Sequence, residues 1–365
     1  MNKPTPKISY PEATEKPVIA ISIGDINGVG PEIIWQCFAT PGMLSMCTPV
    51  VFGSGKVMAF YKKKLQLDAF SFHQIQSIEE AQEGKLNLIQ EHMPNLLATP
   101  GDRTLEGAQA AFASLEAATE AVLKGKADVL ITAPLDKSFM VEAGMNFPGH
   151  TEYLEHKASG KAQMIMCHES LRVALLTGHM PLEDVAKAIS PKLLKDHILR
   201  FNQTLIQDFA ITKPKIAVLS LNPHAGDQGR FGNQEQEVIL PSLKELRSEN
   251  NLLIAGPFPA DGFFGSGNYR NFDGVLAMYH DQGLTGFKSI TGFEGVNFTA
   301  GLPIVRVSPD HGPAFDLAGT GKANPASFMQ AIYHALDIRK CRTMHEEITA
   351  DPLKISKRKE RERDD

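Results

Sequence analysis

Short apolar runs alternate with longer stretches of helical periodicity along most of this chain. PVIAISI (17–23) is nearly all apolar and reads as a buried strand, and a glycine-rich turn then leads into a helix opened by Pro31-Glu32. PVVFGS (49–54), ADVLITA (127–133), LRVALLT (171–177), PKIAVLSL (214–221), LLIAGPF (252–258) and DGVLAMY (273–279) repeat the strand pattern. Between them, residues 105–124 are alanine-rich and amphipathic, with Gly125 closing the helix, and 192–209 and 233–247 also read as helices. This alternation predicts an α/β fold with a largely parallel or mixed sheet. Open sheets of that kind bind ligands beyond the carboxyl ends of their strands, and here several strands run directly into polar, loop-forming segments.

A length of 365 residues allows one large α/β domain or two lobes with ample core, and 42% hydrophobic with 22% charged content is ordinary for a soluble enzyme. The formal net charge of −5 argues against a general nucleic-acid binder and leaves small anionic substrates open. No apolar run approaches the roughly 18 residues that span a bilayer, and the polar N-terminus carries no signal-peptide core, so no membrane partner is expected and the expected compartment is the cytoplasm. Cys37, Cys47, Cys167 and Cys341 are scattered without a CxxC pair and read as reduced, structural thiols. Residues 1–16 are expected to form a flexible arm, and residues 341–365, ending in ISKRKERERDD, a charged tail.

The candidate chemistry lies in those polar segments. Four are centred on histidines: GHTEYL at His150, TGHMPL at His179, NPHAGDQG at His224 and AMYHDQG at His280. Three imidazoles converging on one point would make a divalent-metal site, although no HxxxH pair fixes such a geometry from sequence. Lys137 follows a strand, and Gly149-His150-Thr151 precedes a helix expected from Glu152; that segment reads either as an anion cradle or as simple capping by Thr151. Lys288, Asn297 and Arg306 could together grip a phosphate and a carboxylate. ISIGDINGVGPEII (21–34) is not a dinucleotide fingerprint, because Ile33 replaces the third glycine; it is either a tight connection or part of the site floor. VFGSGKV (51–57) lacks phosphate-loop spacing and reads as a loop before a helix, whereas DHGPAFDLAGTGKANP (310–325) should be exposed backbone suited to adenine or phosphate.

In these residues the chain resembles the 4-hydroxythreonine-4-phosphate dehydrogenase (PdxA) family. GDxxGxGPE, TAPxxK, GHTE, a THxPL-like segment, NPHAG, PADxxF, MYHDQG, GVNxTxGLPxxRxSxDHG and DLAGxGKA occur in the family's order over roughly residues 18–335. The last loop is also similar to that of the isocitrate and isopropylmalate dehydrogenases, implying their two-lobed α/β fold and a non-Rossmann NAD site. Residues 17–137 with 288–340 are then expected as one lobe and 138–287 as the other, which would carry the metal and dimer contacts.

The resemblance implies His179, His224 and His280 as ligands of one divalent ion (Zn, Mg, Co or Mn). His150, Thr151, Lys288, Asn297 and Arg306 become substrate contacts, and Asp310, His311, Gly312, Gly319, Gly321 and Asn324 become NAD contacts. Lys137, Asp261 and a metal-bound water are the candidates for taking the hydroxyl proton. The implied reaction is oxidation and decarboxylation of 4-phosphohydroxy-L-threonine to 3-amino-2-oxopropyl phosphate in pyridoxal 5'-phosphate biosynthesis, by a homodimer whose active site draws on both subunits. The same chemistry on threonate or erythronate phosphate, or a metal-dependent lyase without NAD, are the alternatives. Departures from the family pattern are Gly178 before His179, Gly229-Arg230-Phe231-Gly232 after NPHAG, and Pro313 and Phe315 in the cofactor loop; Arg230 is expected to add a cation near the site.

Overall fold

The computed structural model describes residues 16–90, 96–147 and 149–351. Most of the expected arm and the end of the expected tail lie outside the described residues. Twelve strands form one sheet: β1 (Val18–Ser22), β2 (Thr48–Gly53), β3 (Phe72–Ile75), β4 (Leu86–Gln90), β5 (Val129–Thr132), β6 (Gln163–His168), β7 (Leu171–Leu175), β8 (Lys215–Leu219), β9 (Leu253–Phe258), β10 (Gly274–Ala277), β11 (Val296–Ala300) and β12 (Val305–Pro309). Every strand expected from an apolar run is present. β2, β5 and β10 are buried at every position, because helices cover both faces of a parallel sheet and leave no solvated side for polar residues.

The order is β3-β4-β2-β1-β5-β12-β11-β6-β7-β10-β8-β9. β3, β4, β2, β1, β5 and β12 run parallel to one another, and so do β7, β10, β8 and β9. β11 and β6 join the two blocks through three antiparallel pairings, so the blocks run in opposite senses. The sheet is therefore mixed, and its change of direction falls in the middle.

Local chemistry sets the helix ends. The helix Leu105–Leu123 starts where the Thr104 hydroxyl accepts the Gly107 N–H, and ends just before Gly125, whose φ of 70° is left-handed. Pro191–Gln207 begins with Ser190 as cap and proline in its first turn. Residues 233–247 form a wide turn, Glu235–Ile239, that continues into the helix Leu240–Glu249. Ser54 caps Gly55–Lys64, in line with the loop-then-helix reading of VFGSGKV.

The longest helix, Ala326–Ala350, packs on β12 and β5 and takes in the first ten residues of the expected tail. It buries Phe328, Ile332 and Ile338, and Arg342 donates to Asp208 at 2.6 Å. All four cysteines carry free thiols, three of them buried. Among the described residues no helix is long and apolar enough to cross a membrane.

Candidate active site

A cleft of about 630 Å³ lies where the two parallel blocks meet, lined by residues at or beyond the carboxyl ends of β5, β7, β10 and β12 and by residues within β6, β11 and β12. Arg306, on β12, is its buried cation, 2% exposed. Its Nε and Nη2 donate to the Thr132 hydroxyl at 3.1 and 2.6 Å, and Nη1 donates to Thr299 at 2.9 Å. A guanidinium has five N–H donors, so each terminal nitrogen keeps one for a further acceptor, the fork that matches a phosphate or carboxylate. Burial pulls Arg306 down to about 9, with Glu152 opposing. An arriving anion would offset the cost of that buried charge.

Other polar groups in the cleft are placed to meet the rest of such a ligand. His150 opens the helix His150–Ala158, two residues earlier than expected, and Gly149 occupies the cap position with no side-chain bond, so Thr151 is not the cap. The His150 Nε2 is buried without a hydrogen-bond partner. Burial first, then Arg306 and Lys137, hold its pKa well below the usual value, so the ring is neutral at neutral pH. Asn297, on β11, has a buried and unpartnered Oδ1. Lys288 reaches Asp310 Oδ1 at 3.1 Å and its carbonyl at 3.3 Å, while burial raises the Asp310 carboxyl against the pull of Lys288.

Beside this cationic wall the rings of His179 and His280 face each other, centroids 5.1 Å apart. Burial, Lys137 and His280 together lower the His179 pKa, which favours the neutral ring, with one nitrogen carrying a hydrogen and the other free to ligate. His280 begins the helix His280–Thr291, and its Nδ1 lies 2.7 Å from Asp281 Oδ1, a carboxylate partner of the kind that orients metal-binding imidazoles. Gln282 braces the position: its Oε1 accepts Met278 N–H at 2.7 Å and its Nε2 donates to the Ser220 carbonyl at 2.6 Å, tying the ends of β10 and β8. Two imidazoles fit a divalent ion, but catalytic sites of this type commonly supply three protein ligands. Among the described residues no group of three His, Cys, Asp or Glu side chains is placed to hold a metal.

The expected third ligand is elsewhere. His224 is exposed on the turn Pro223–Gly229 and does not line the cleft. That turn is left-handed: His224, Ala225, Asp227 and Gln228 have φ of 53, 52, 40 and 56°. Left-handed backbone costs a residue with a Cβ roughly 1–2 kcal/mol, so the surroundings must hold it. Asp261 also lies outside the cleft, in a second cavity with Asn222, Pro223 and Asp281. Arg230 adds no free cation to the cleft, since it pairs with Asp227 at 3.1 Å and lies over the Phe231 ring.

Asp310, His311 and Gly312 line the cleft, whereas Gly319, Gly321 and Asn324 lie beyond it. His311 Nε2 is buried and unpartnered. Asn324 Oδ1 accepts Ala326 N–H at 2.9 Å, so that side chain starts the last helix. The loop is held from below by the segment that had two open readings. Val29 N–H donates to the Pro313 carbonyl at 2.8 Å, and a Cβ on Gly28 would come within 2.8 Å of Pro313 Cβ. Glu32, fully buried, accepts Gly319 N–H at 2.8 Å and Ala323 N–H at 3.3 Å. GDINGVGPE is therefore neither only a tight connection nor the cleft floor; it is the seat of the loop 310–325.

The family model described as Pyridoxal phosphate biosynthetic protein PdxA matches residues 45–335. The chain belongs to the PdxA family. The 4-hydroxythreonine-4-phosphate dehydrogenase of Bacteroides thetaiotaomicron is 44% identical over 338 residues, 92% of each chain, and that of Prosthecochloris aestuarii 39% identical over 329 residues, 87% of this chain and 96% of the relative. The solved structure of the Klebsiella pneumoniae 4-hydroxythreonine-4-phosphate dehydrogenase superposes with a TM-score of 0.78 at 33% identity, covering 90% of this chain and 99% of that one. The mixed sheet flanked by helices is thus the isocitrate/isopropylmalate dehydrogenase type of fold.

Within the PdxA pattern, the structure gathers Lys137, His150, Thr151, His179, His280, Lys288, Asn297, Arg306, Asp310, His311 and Gly312 around one cleft. Glu32 and Gln282 stand inside motifs yet have structural tasks that no spacing rule assigns. Glu235, in a stretch that reads as ordinary helix, is buried and contacts the His224 turn. A lone glutamate among helix formers leaves no sequence signal of that kind.

Proposed function

We propose that this chain is a cytoplasmic, homodimeric dehydrogenase that oxidises and decarboxylates 4-phosphohydroxy-L-threonine to 3-amino-2-oxopropyl phosphate. The observation that carries this reading is the buried Arg306 fork, with the unpartnered His150 Nε2 and Asn297 Oδ1, in one cleft with the paired His179 and His280 rings. A substrate with an anionic end for Arg306 and a hydroxyl or ammonium that can donate to Asn297 Oδ1 fits the first set, and a divalent ion the second. When bound, NAD accepts the hydride and the ion, Zn, Mg, Co or Mn, supplies Lewis acidity at the substrate oxygen.

The chain's own residues bind and orient. Arg306 takes an anionic end in a two-pronged contact, Lys288 and the His150-Thr151 helix start take the other, and Asn297 fixes the substrate between them. Lys137, at the mouth of β5, is the cleft side chain assigned to take the hydroxyl proton; Asp261 lines the second cavity and not the cleft. His179 and His280 hold the ion, and a second copy of this chain contributes His224, which is exposed and carried on a preset turn. Asp310, His311 and Gly312, which line the cleft, and the loop 310–325 that carries Gly319, Gly321 and Asn324 would hold NAD. One lobe takes 17–137 with 288–340 and the other 138–287; the contiguity of β1–β5, β11 and β12 on one side of the sheet and β6–β10 on the other supports that division.

The test is NADH formation by the metal-loaded protein on 4-phosphohydroxy-L-threonine, beside threonate and erythronate phosphates. Turnover is expected on the first, abolished in His280→Ala. In Arg306→Lys, KM should rise at least about tenfold, because lysine cannot make the paired contact. Turnover only on the sugar acids moves the substrate assignment, and NADH formation on none of them refutes the dehydrogenase reading.

A further inference from the structure

Glu235 is 1% exposed, on the wide turn that leads into Leu240–Glu249. Its three hydrogen bonds all go to the segment that starts the left-handed turn. Oε1 accepts Leu221 N–H and Asn222 N–H, each at 2.8 Å, and Oε2 accepts Asn222 Nδ2 at 2.9 Å. Oε2 also lies against the turn itself, since a Cβ on Gly226 would come within 2.8 Å of it. Leu221 and Asn222 directly precede Pro223, so the carboxylate fixes the chain where its handedness reverses. Four residues with side chains then hold left-handed φ in a stretch that bears His224. The other restraints are Asn222 Nδ2 to Gln234 Oε1 at 2.8 Å and the Ser220 hydroxyl to the Asn222 carbonyl at 2.9 Å before the turn, and, within it, Phe231 N–H to the Gly226 carbonyl at 3.2 Å, Arg230 N–H to the Asp227 carbonyl at 3.2 Å and the exposed Arg230–Asp227 pair.

We propose that Glu235 is a positioning residue: its buried carboxylate holds Leu221 and Asn222 so that the left-handed turn presents His224 ready to ligate a metal. This rests on the assignment of His224 as a ligand. If the turn relaxed to ordinary backbone, the imidazole would have to be reordered each time an ion bound, and affinity would fall by the fraction of molecules in the competent form. The buried carboxylate removes that loss without touching the ion. Outer-shell groups of this kind commonly change metal affinity by about 10–100-fold.

The test is a Co²⁺ titration of the metal-free, full-length protein, followed by visible absorption, for the wild type and for His224→Ala, Glu235→Gln, Asn222→Ala and the double variant Glu235→Gln/Ala225→Gly. Gln is nearly isosteric with Glu but turns an N–H₂ toward the Asn222 amide, donor against donor, and Asn222→Ala breaks the same link from the turn side. Both should weaken Co²⁺ binding, Glu235→Gln by about tenfold, with the far-UV circular dichroism of the metal-free protein unchanged. Glycine at 225 accepts left-handed φ without the Cβ penalty, so the double variant should recover about fivefold of that loss. A purely structural Glu235 would lower Tm without altering the Co²⁺ Kd, and glycine would rescue nothing. Wild-type affinity in Glu235→Gln and Asn222→Ala, or a loss that Ala225→Gly does not reverse, overturns the proposal; wild-type affinity in His224→Ala refutes the ligand assignment beneath it.

Discussion

The loop 310–325 and the turn Pro223–Gly229 are each anchored by one buried glutamate, Glu32 in the first and Glu235 in the second, yet their backbones are unlike. In the loop, left-handed φ falls on Gly319 and Gly321, at 72 and 74°, with Ala314 the one residue bearing a Cβ that joins them. In the turn, His224, Ala225, Asp227 and Gln228 all adopt it. Glycine accepts that region at little cost, so the loop's local sequence agrees with its shape and Glu32 only has to fasten it. The turn's local sequence opposes its shape, and the hydrogen bonds to Glu235 act against that opposition. One anchor secures a conformation the chain already favours; the other sustains one it would leave.

The contrast is most exposed by removing the simpler anchor. Glu32→Ala strands the Gly319 and Ala323 N–H groups in a buried place, which should destabilise the fold by about 3 kcal/mol in urea unfolding. KM for NAD should rise at least about tenfold while Co²⁺ affinity stays at the wild-type value. If Co²⁺ binding weakened as much as NAD binding, the two loops would not be separable. Gly28→Ala is the milder probe. Its φ is not left-handed, so the cost is the approach of the new Cβ to Pro313 Cβ at 2.8 Å and to its carbonyl oxygen at 2.9 Å. Roughly 1–2 kcal/mol of destabilisation is expected, with a severalfold rise in KM for NAD, because the loop must lift off its seat. An unchanged KM would mean that contact at Pro313 does not set the loop's position.

The sequence made seven of the twelve strands readable, all of them in the parallel blocks, and concealed β6, β11 and β12 for a physical reason. β1, β2, β5 and β10 are buried on both faces and therefore spell continuous apolar runs. β6, β11 and β12 carry Gln163, Asn297 and Arg306, polar residues that line the cleft and interrupt the apolar pattern. The site's wall was thus hidden as strand by the same residues that made it visible as chemistry. Lys137, His179, His280 and Asp310, which also line the cleft, follow strand ends, where loop-forming sequence marks them. His224 and Asp261 were legible as chemistry but not as place, since no spacing says which side of a strand end faces the cleft. Glu235 was not legible at all, because its task exists only once two segments meet.

Asp25 extends the comparison to a carboxylate with too few donors. It lies in the segment that seats the loop, 1% exposed, and its Oδ1 accepts the Asn27 N–H at 2.9 Å, against two backbone donors at Glu32 and three donors at Glu235. Burial is the largest influence and raises its pKa to about 6, against the Asn27 bond; Asp136 adds to the rise and Arg103 opposes it. A folded pKa above the unfolded value means that the folded state holds the proton more tightly. The associated stability is present below the unfolded pKa, near 3.8, and is lost as pH rises through 6, so ionised Asp25 burdens the fold at neutral and alkaline pH. Asp25→Asn keeps an acceptor for Asn27 and never ionises. It should leave Tm close to wild type at about pH 4 and raise it by a few degrees at about pH 8, an effect on the order of 1 kcal/mol once the unpaired amide N–H₂ is allowed for. Thermal unfolding across that range decides the matter: a gap that widens with pH marks Asp25 as a carboxylate the fold holds at a cost, whereas a constant gap, or one that closes as pH rises, would show that one backbone donor is enough.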